Sequence, residues 1–527
     1  MFGLPGGEIL HFIEAARKVG IEFVLTRHEA VAAFMADATG QLTRRPGVCV
    51  STLGPGAMNL TLGVANAFLD RSPVIAITAA TAESARPYTT HQQLDLNAVF
   101  RPFTKTTVTL DGVNTAATVR RAWRTAIEPR PGPVHLALPS DVARREEQQT
   151  EDPHVSVSPD PLPPPSREAL NRLAAEINAA RRPIVVLGLD LESTAAHVVR
   201  QFVDALGVPV FVTPKAKGML PEDHEQFLGV CGGLAADAVI LDFLQRADLL
   251  IGVGFDPVES DKLWHHTMRL VSIAPVSIAA DAYRPVLEVT GDVVQSLRGL
   301  ISRGLGPFDW RTSDLRAFRA ELERTLNPAL SPVEGISPLE VTRRLRELFP
   351  PDTIVTTDVG SIKLLVSQAW RTFEPLTFLE SNGLSAMGYA LPAAMAAKFL
   401  EPERPVLCTI GDGGYSMVFA DIETAVRHRL RFATVVYNDS ALSLIQVAQE
   451  RRGYPDYGVR YGEVDFAAAS AALGAWARRV RTIAELDAAI MEAIRHDGPS
   501  VVEVMIDPAE YRAHVGITAS AAARHSR

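Results

Sequence analysis

Three groups of residues in the 527-residue chain have types and spacings that could do chemistry. The first lies in PVLCTIGDGGYSMVF, an apolar run that turns through Gly411, Asp412, Gly413 and Gly414 into a helical pattern starting near Ser416. Glycines let a ligand approach the backbone, and free amides at a helix N-terminus suit a diphosphate. Asp412 places a hard oxygen ligand in the same turn. The second group closes the next strand-like run, RFATVVYND, on Asn438 and Asp439. Neighbouring strand ends of one sheet can converge on a single Mg²⁺ that bridges phosphate oxygens. A GDG turn alone is an ordinary tight turn; followed by an apolar strand ending in Asn-Asp it is far more specific. The third is Glu29, which follows the apolar FVL and opens a small-residue helix containing Ala30, Ala32, Ala33, Ala36 and Ala38. An isolated glutamate there simply complements the helix dipole. Pro5-Gly6-Gly7, Gly54-Pro55-Gly56 and Asn59 change the balance, as further loops placed to approach one small ligand.

The elements that must position these residues recur along the chain. GVCVSTL and PVIAITAA in the first third, RPIVVLGLD, PVFVTP and ADLLIGVG in the second, and TIVTTDVG, PVLCTIGDG, FATVVYND and SVVEVMID in the last are short apolar runs between amphipathic helical patterns. Such strands indicate parallel sheets covered on both faces. The fold class is therefore α/β, with three doubly wound parallel-sheet domains, whose ligands bind beyond the carboxyl ends of strands. Pro159, Pro161, Pro163, Pro164 and Pro165 cannot sit in a helix or a central strand and mark an extended linker. The expected organisation is an N-terminal domain over 1–150, a Pro-rich linker over 151–168, a central domain over 169–325, a second linker over 326–340, a C-terminal domain over 341–508 and a flexible tail over 509–527.

Composition narrows the function classes. With 47% hydrophobic and 21% charged residues the chain is neither disordered nor collagen-like. A net charge of −9 gives no general basic surface for nucleic acid. No apolar run approaches the ~20 residues needed to span a bilayer, and MFGLPGGEIL has neither the basic nor the long apolar region of a signal peptide, so a cytoplasmic protein is expected. Cys49, Cys231 and Cys408 are too far apart for a disulfide scaffold or a metal knuckle. A nicotinamide fingerprint needs GxGxxG after a strand, and GDGGYS has a different spacing.

GDG with Asn438-Asp439 about 25 residues later resembles the thiamine-diphosphate motif, and Arg27-His28-Glu29 resembles the pyrimidine-binding domain of the same enzymes. The resemblance implies pyrimidine-binding, central and diphosphate-binding domains, with thiamine diphosphate and Mg²⁺ as cofactors. It implies Asp412, Asp439 and the Ala441 carbonyl as metal ligands, with Asp439 standing where the family has a second Asn. Glu29 would hydrogen-bond the cofactor aminopyrimidine and drive its activation, in an apolar pocket that raises a carboxyl pKa. SNGLSAMGYALP resembles the loop that supplies a carbonyl, here from Ser385, and an apolar wedge, here Met387, to the bent cofactor. Gly360, Ser361 and Ile362 would contact diphosphate through their backbone, and Pro5, Gly6 and Asn59 would flank the cofactor. FGLPGGEIL, STLGPGAMNL, DRSPVIAITA and FRPFTK look like acetolactate synthase phrases, and THQQLD and VGFDPVESDKLW like those of the FAD-independent catabolic type. Gln92 then lines the reaction centre, and His91 is either an active-site donor or acid or a loop-holding residue. No FAD is expected, because the central segment lacks the glycine triplet and arginine of flavin-binding members. The implied activity is decarboxylation of a 2-oxo acid such as pyruvate with carboligation to a second carbonyl compound. Simple decarboxylation, a specialised carboligation and an inactive cofactor-binding paralogue are the alternatives. The resemblance also implies a homodimer or homotetramer in which Glu29 of one subunit meets Asp412 of another. Because the strand and helix that ordinarily precede FGLPGG are missing, the first sheet is expected to lack an edge element.

Overall fold

In the computed structural model, which describes residues 1–259, 268–280, 283–328 and 335–514, the apolar runs become three six-stranded sheets. The first contains β1 (Phe2–Leu4), β2 (Val24–Leu25), β3 (Gly47–Ser51), β4 (Val74–Ala80), β5 (Thr106–Thr109) and β6 (Pro133–Pro139), in the order β2-β1-β3-β4-β6-β5. The second contains β7 (Pro183–Leu187), β8 (Val210–Val212), β9 (Phe227–Val230), β10 (Leu249–Val253), β11 (Leu270–Ala274) and β12 (Leu287–Thr290), ordered β12-β11-β10-β7-β8-β9. The third contains β13 (Ile354–Thr357), β14 (Phe378–Glu380), β15 (Val406–Gly411), β16 (Ala433–Asn438), β17 (Trp476–Val480) and β18 (Ser500–Met505), ordered β14-β13-β15-β16-β18-β17. Every pairing between these strands is parallel. In each sheet the strand order reverses near its middle, which opens a crevice at the carboxyl ends of the strands.

The first sheet has six strands, as the other two do. Phe2–Leu4, at the very start of the chain, lies inside it, paired with β2 on one side and β3 on the other. Residues 152–165 form neither helix nor strand, and the next helix, Arg167–Asn178, starts where the Ser166 side chain accepts a hydrogen bond from the Ala169 amide. Residues 509–514, assigned above to a flexible tail, are helical. Tyr511 anchors them in the third core, and the buried His514 bonds the Leu326 carbonyl at 2.8 Å. The remainder of that tail and residues 260–264 of VGFDPVESDKLW lie outside the described residues.

The first and third sheets share one core. The Glu29–Thr43 helix packs against the Ala390–Leu400 helix, and both are rich in buried alanine. Phe34 meets Tyr389 edge-on at 5.7 Å, and Gln41 donates to the Tyr389 hydroxyl. Asp70 accepts the Gly383 amide at 2.7 Å, so the loop before Ala390 is tied down from the N-terminal domain. The central domain receives Leu364 of the third domain against its cores and joins further through polar contacts. Lys215 Nζ meets Asp70 at 2.8 Å and donates to Gln41, while Arg71 pairs with the buried Asp256 at 2.8 Å.

Candidate active site

Glu29 is the first residue of its helix, and the preceding His28 caps that helix by accepting the Ala30 amide at Nδ1, 3.1 Å. Its carboxylate is buried, with the residue only 4% exposed. Asn59, on the Pro55–Leu69 helix, donates Nδ2 to Glu29 Oε2 at 3.0 Å. Oε1 faces the Gly54–Gly56 turn, where a Cβ on Gly56 would lie 3.2 Å away. The Pro5–Gly6 loop abuts the same turn: Gly6 packs on the Thr52 side chain, whose hydroxyl donates to Glu8. Gln92 lies on the other side of the turn, with backbone φ of +55° and its side chain against Gly54. His91 is exposed, and among the described residues its ring makes no hydrogen bond, so within the chain it ties no loop down.

The second group forms where β15 and β16 end side by side. The helix after β15 starts at Asp412, earlier than the glycine content suggested, so Gly413 and Gly414 are helical residues. Gly414 is required by contact: a Cβ there would sit 1.8 Å from Asp358 Oδ2. That buried carboxylate accepts the amides of Gly388, Tyr389 and Ala390 at 2.9, 2.8 and 3.1 Å, and so holds the Ser385–Tyr389 loop against the GDG turn. Met387, half-buried, reaches the turn, with its Cε 3.1 Å from where a Gly413 Cβ would be. Ser385 is exposed in a left-handed conformation at φ +56°. Gly414→Ala is therefore expected to cost about 3 kcal/mol of stability through overpacking against Asp358. Denaturant unfolding of the apo-protein checks it, and an unchanged midpoint would contradict the contact.

Asp412 accepts the Ser440 amide at 2.7 Å and the Asp439 amide at 3.2 Å on one oxygen, and the Gly413 amide on the other. Asp439 accepts the Ala441 amide and the Ser443 hydroxyl. Burial, then the neighbouring Asp412, push the Asp439 carboxyl up to about 7. Among the described residues neither aspartate has a lysine or arginine partner, so the buried Asp412 and the half-buried Asp439 stand together without a counter-charge. Ala441 stands opposite Arg460 in a bridge whose flanking hydrogen bonds use the Val459 and Ser440 carbonyls, leaving that of Ala441 out of the ladder. Next to this pair, Gly360 starts the Ser361–Ala369 helix at φ +129°, a conformation that favours glycine. Ser361 is buried and its hydroxyl has no partner. Ile362 stands beside Gly411, its Cγ2 3.8 Å from a Cβ built there.

These observations fit a diphosphate held with a divalent cation. Among the described residues the carboxylate pair has no cationic partner, the helix that begins with the orphaned Ser361 hydroxyl sets Ile362 beside Gly411 of the glycine turn, and hard oxygens are the ligands that Mg²⁺ takes. Among the described residues no set of three or more His, Cys, Asp or Glu converges on a metal, so a cation here depends on carbonyl and phosphate oxygens for its remaining ligands. The structure brings Gly360, Ser361, Ile362, Met387, Gly411, Asp412, Gly413, Gly414, Asp439 and Ala441 into one neighbourhood, and Pro5, Gly6, Glu29, Asn59 and Gln92 into another. Within the chain no hydrogen bond or ion pair among the described residues joins Glu29–Asn59 to Asp412–Asp439. Asp358 and Tyr461, whose hydroxyl bonds Asp412, escaped the sequence reading. The Asp-Val-Gly at the end of β13 was the available signal for Asp358; nothing marked Tyr461.

Family models match the chain in three blocks: the N-terminal TPP binding domain of thiamine pyrophosphate enzymes over residues 1–99, the central domain over 170–300 and the C-terminal TPP binding domain over 358–504. The chain is 32% identical over 519 residues to an acetolactate synthase of Bacillus subtilis, covering 96% of the chain and 90% of that protein. It is 31% identical to the acetolactate synthase isozyme 1 large subunit of Escherichia coli, covering 96% and 91%. It is 29% identical to the catabolic acetolactate synthase of Raoultella terrigena, covering 96% and 92%.

Proposed function

The chain belongs to the thiamine pyrophosphate enzyme family as an acetolactate synthase-like member, and on that premise we propose that it decarboxylates a small 2-oxo acid, pyruvate in the simplest case, and joins the remaining fragment to a second carbonyl compound. The observation that carries this reading is the pair of half-sites, a buried Glu29 held by Asn59 and an uncompensated Asp412–Asp439 pair beneath Met387.

Thiamine diphosphate, when bound, supplies the carbanion-stabilising chemistry. Asp412, Asp439 and the Ala441 carbonyl would hold Mg²⁺, and the backbone of Gly360–Ile362 and Gly411–Gly414 would hold the diphosphate. Ser385, Met387, Pro5 and Gly6 would orient the rings. Asn59 keeps Glu29 Oε2 fixed and leaves Oε1 beside the Gly56 turn to hold or release a proton, and burial keeps water from competing for it. Gln92, with His91 beside it, would face the reacting carbonyl. In the central domain the buried Glu259 carboxylate accepts the Leu189 and Lys215 amides and the Thr213 hydroxyl, so these donors at the carboxyl ends of β7 and β8 are already used within the chain. This supports chemistry without FAD.

Among the described residues the two half-sites share no polar contact within the chain, which supports a homodimer or homotetramer whose subunits complete each other's sites. Among the described residues no helix is long and apolar enough to cross a membrane, and a cytoplasmic location is part of the proposal. Purified protein incubated with thiamine diphosphate, Mg²⁺ and pyruvate tests the reading, with products identified by mass spectrometry. Acetolactate and CO₂ are expected. Acetaldehyde without acetolactate would favour simple decarboxylation, and no turnover of any 2-oxo acid would favour an inactive cofactor-binding paralogue. Equilibrium sedimentation that found an active monomer would overturn the shared site.

A further inference from the structure

A cavity of about 420 Å³ opens at the carboxyl ends of β3, β4, β5 and β6, beside the Gly54 turn. Its apolar wall comes from Leu53, Ala80 and Ala137, and its polar wall from Gln92, Asn97 and Thr109. Two groups in that wall have unmet needs. Asn97 donates Nδ2 to the Thr109 hydroxyl at 2.9 Å, yet its Oδ1 is buried with no donor. Arg86 lines the same cavity, and among the described residues its guanidinium makes neither a hydrogen bond nor an ion pair. The carboxylates nearby are engaged. Asp95, which also lines the cavity, caps the Leu96–Phe100 helix by accepting the Ala98 amide, and Glu83 pairs with Arg145.

We propose that this cavity is the 2-oxo acid subsite and that Arg86 anchors the substrate carboxylate there. The inference rests on the reaction class proposed above and adds the group that selects an acid. An unpaired guanidinium is the side chain best matched to a planar carboxylate, which it grips through two parallel hydrogen bonds. The cavity adjoins the proposed reaction centre: Leu53 lines it, Gly54 follows, and Gln92 lines the cavity and touches that glycine. Gln92, Asn97 and Thr109 line the same cavity as Arg86, and the orphaned Asn97 oxygen can accept there from a hydroxyl or an ordered water.

The test uses the holoenzyme with oxamate, an unreactive isostere of pyruvate, and oxamide, its neutral counterpart. Calorimetric titration is expected to show saturable oxamate binding and none of oxamide. Arg86→Gln should weaken oxamate binding and raise KM for 2-oxo acids about 10- to 100-fold, with the change in KM exceeding any change in kcat. Arg86→Lys, which keeps the charge but loses the fork, should recover part of the loss. Because Arg86 is exposed, both variants should retain the wild-type circular dichroism. Equal oxamate affinity in wild type and Arg86→Gln, equal affinity for oxamate and oxamide, or no oxamate binding by the wild type would each overturn the proposal. If oxamate binding depends on Arg86 while the wild type turns over no 2-oxo acid, the carboxylate subsite stands and the reaction assignment falls.

Discussion

Glu29→Gln is expected to lower kcat roughly 100- to 10,000-fold, the range that a positioned proton-transfer group contributes, while thiamine diphosphate still binds. The substitution is nearly isosteric, and the amide oxygen of Gln can still accept from Asn59 Nδ2, which donates to the present carboxylate at 3.0 Å. The fold should survive because the helix is capped by His28 and not by Glu29. What disappears is the capacity to exchange a proton at Oε1, since an amide does not titrate in this range. Quenching of intrinsic tryptophan fluorescence by thiamine diphosphate would report binding, and stopped-flow turnover of pyruvate would report rate. A variant that binds the cofactor and turns over at the wild-type rate would remove Glu29 from the chemistry. One that neither binds nor turns over would make it a structural residue.

The second large effect is expected at Asp412. Asp412→Ala removes a proposed cation ligand and strands the Ser440, Asp439 and Gly413 amides that the carboxylate now accepts. Changing a residue that only supports a metal ligand costs about 10- to 100-fold in affinity, so loss of a ligand itself should weaken Mg²⁺-dependent cofactor binding by more than about 100-fold. Titrating Mg²⁺ at fixed thiamine diphosphate measures it, with EDTA-treated wild type as the zero-metal reference. Asp412→Asn separates the two causes, because it keeps an acceptor for the amides and loses the charge. Equal cation dependence in wild type and Asp412→Ala would place the cation elsewhere.

The parts of the fold that were legible in the sequence are the buried ones. β4, β15, β16 and β18 are apolar runs because both faces of a central parallel strand are covered, and the pattern betrays them directly. Strands at the sheet margins were harder to see. β17 reads Trp-Ala-Arg-Arg-Val and β5 reads Thr-Thr-Val-Thr, polar enough to pass for loop, because an edge strand keeps one side near solvent. The proposed site divides in the same way. Glycine turns and acidic residues at strand ends announce themselves by type and spacing. Asp358 does not, because its role lies in three amides about 30 residues further along, a relation created only by folding. Arg86 is equally silent, since an exposed arginine means nothing until a cavity stands beside it.

The alanine seam between the first and third domains has an evolutionary consequence. Ala32, Ala33 and Ala36 on one helix and Ala393, Ala394 and Ala397 on the other are fully buried, so neither helix has spare volume for a larger side chain. A side chain that grows on one side must be matched by one that shrinks on the other. The two cofactor-binding domains therefore cannot drift independently. They inherit volume jointly, and chimaeras that exchange one domain between relatives should succeed only when both helices travel together.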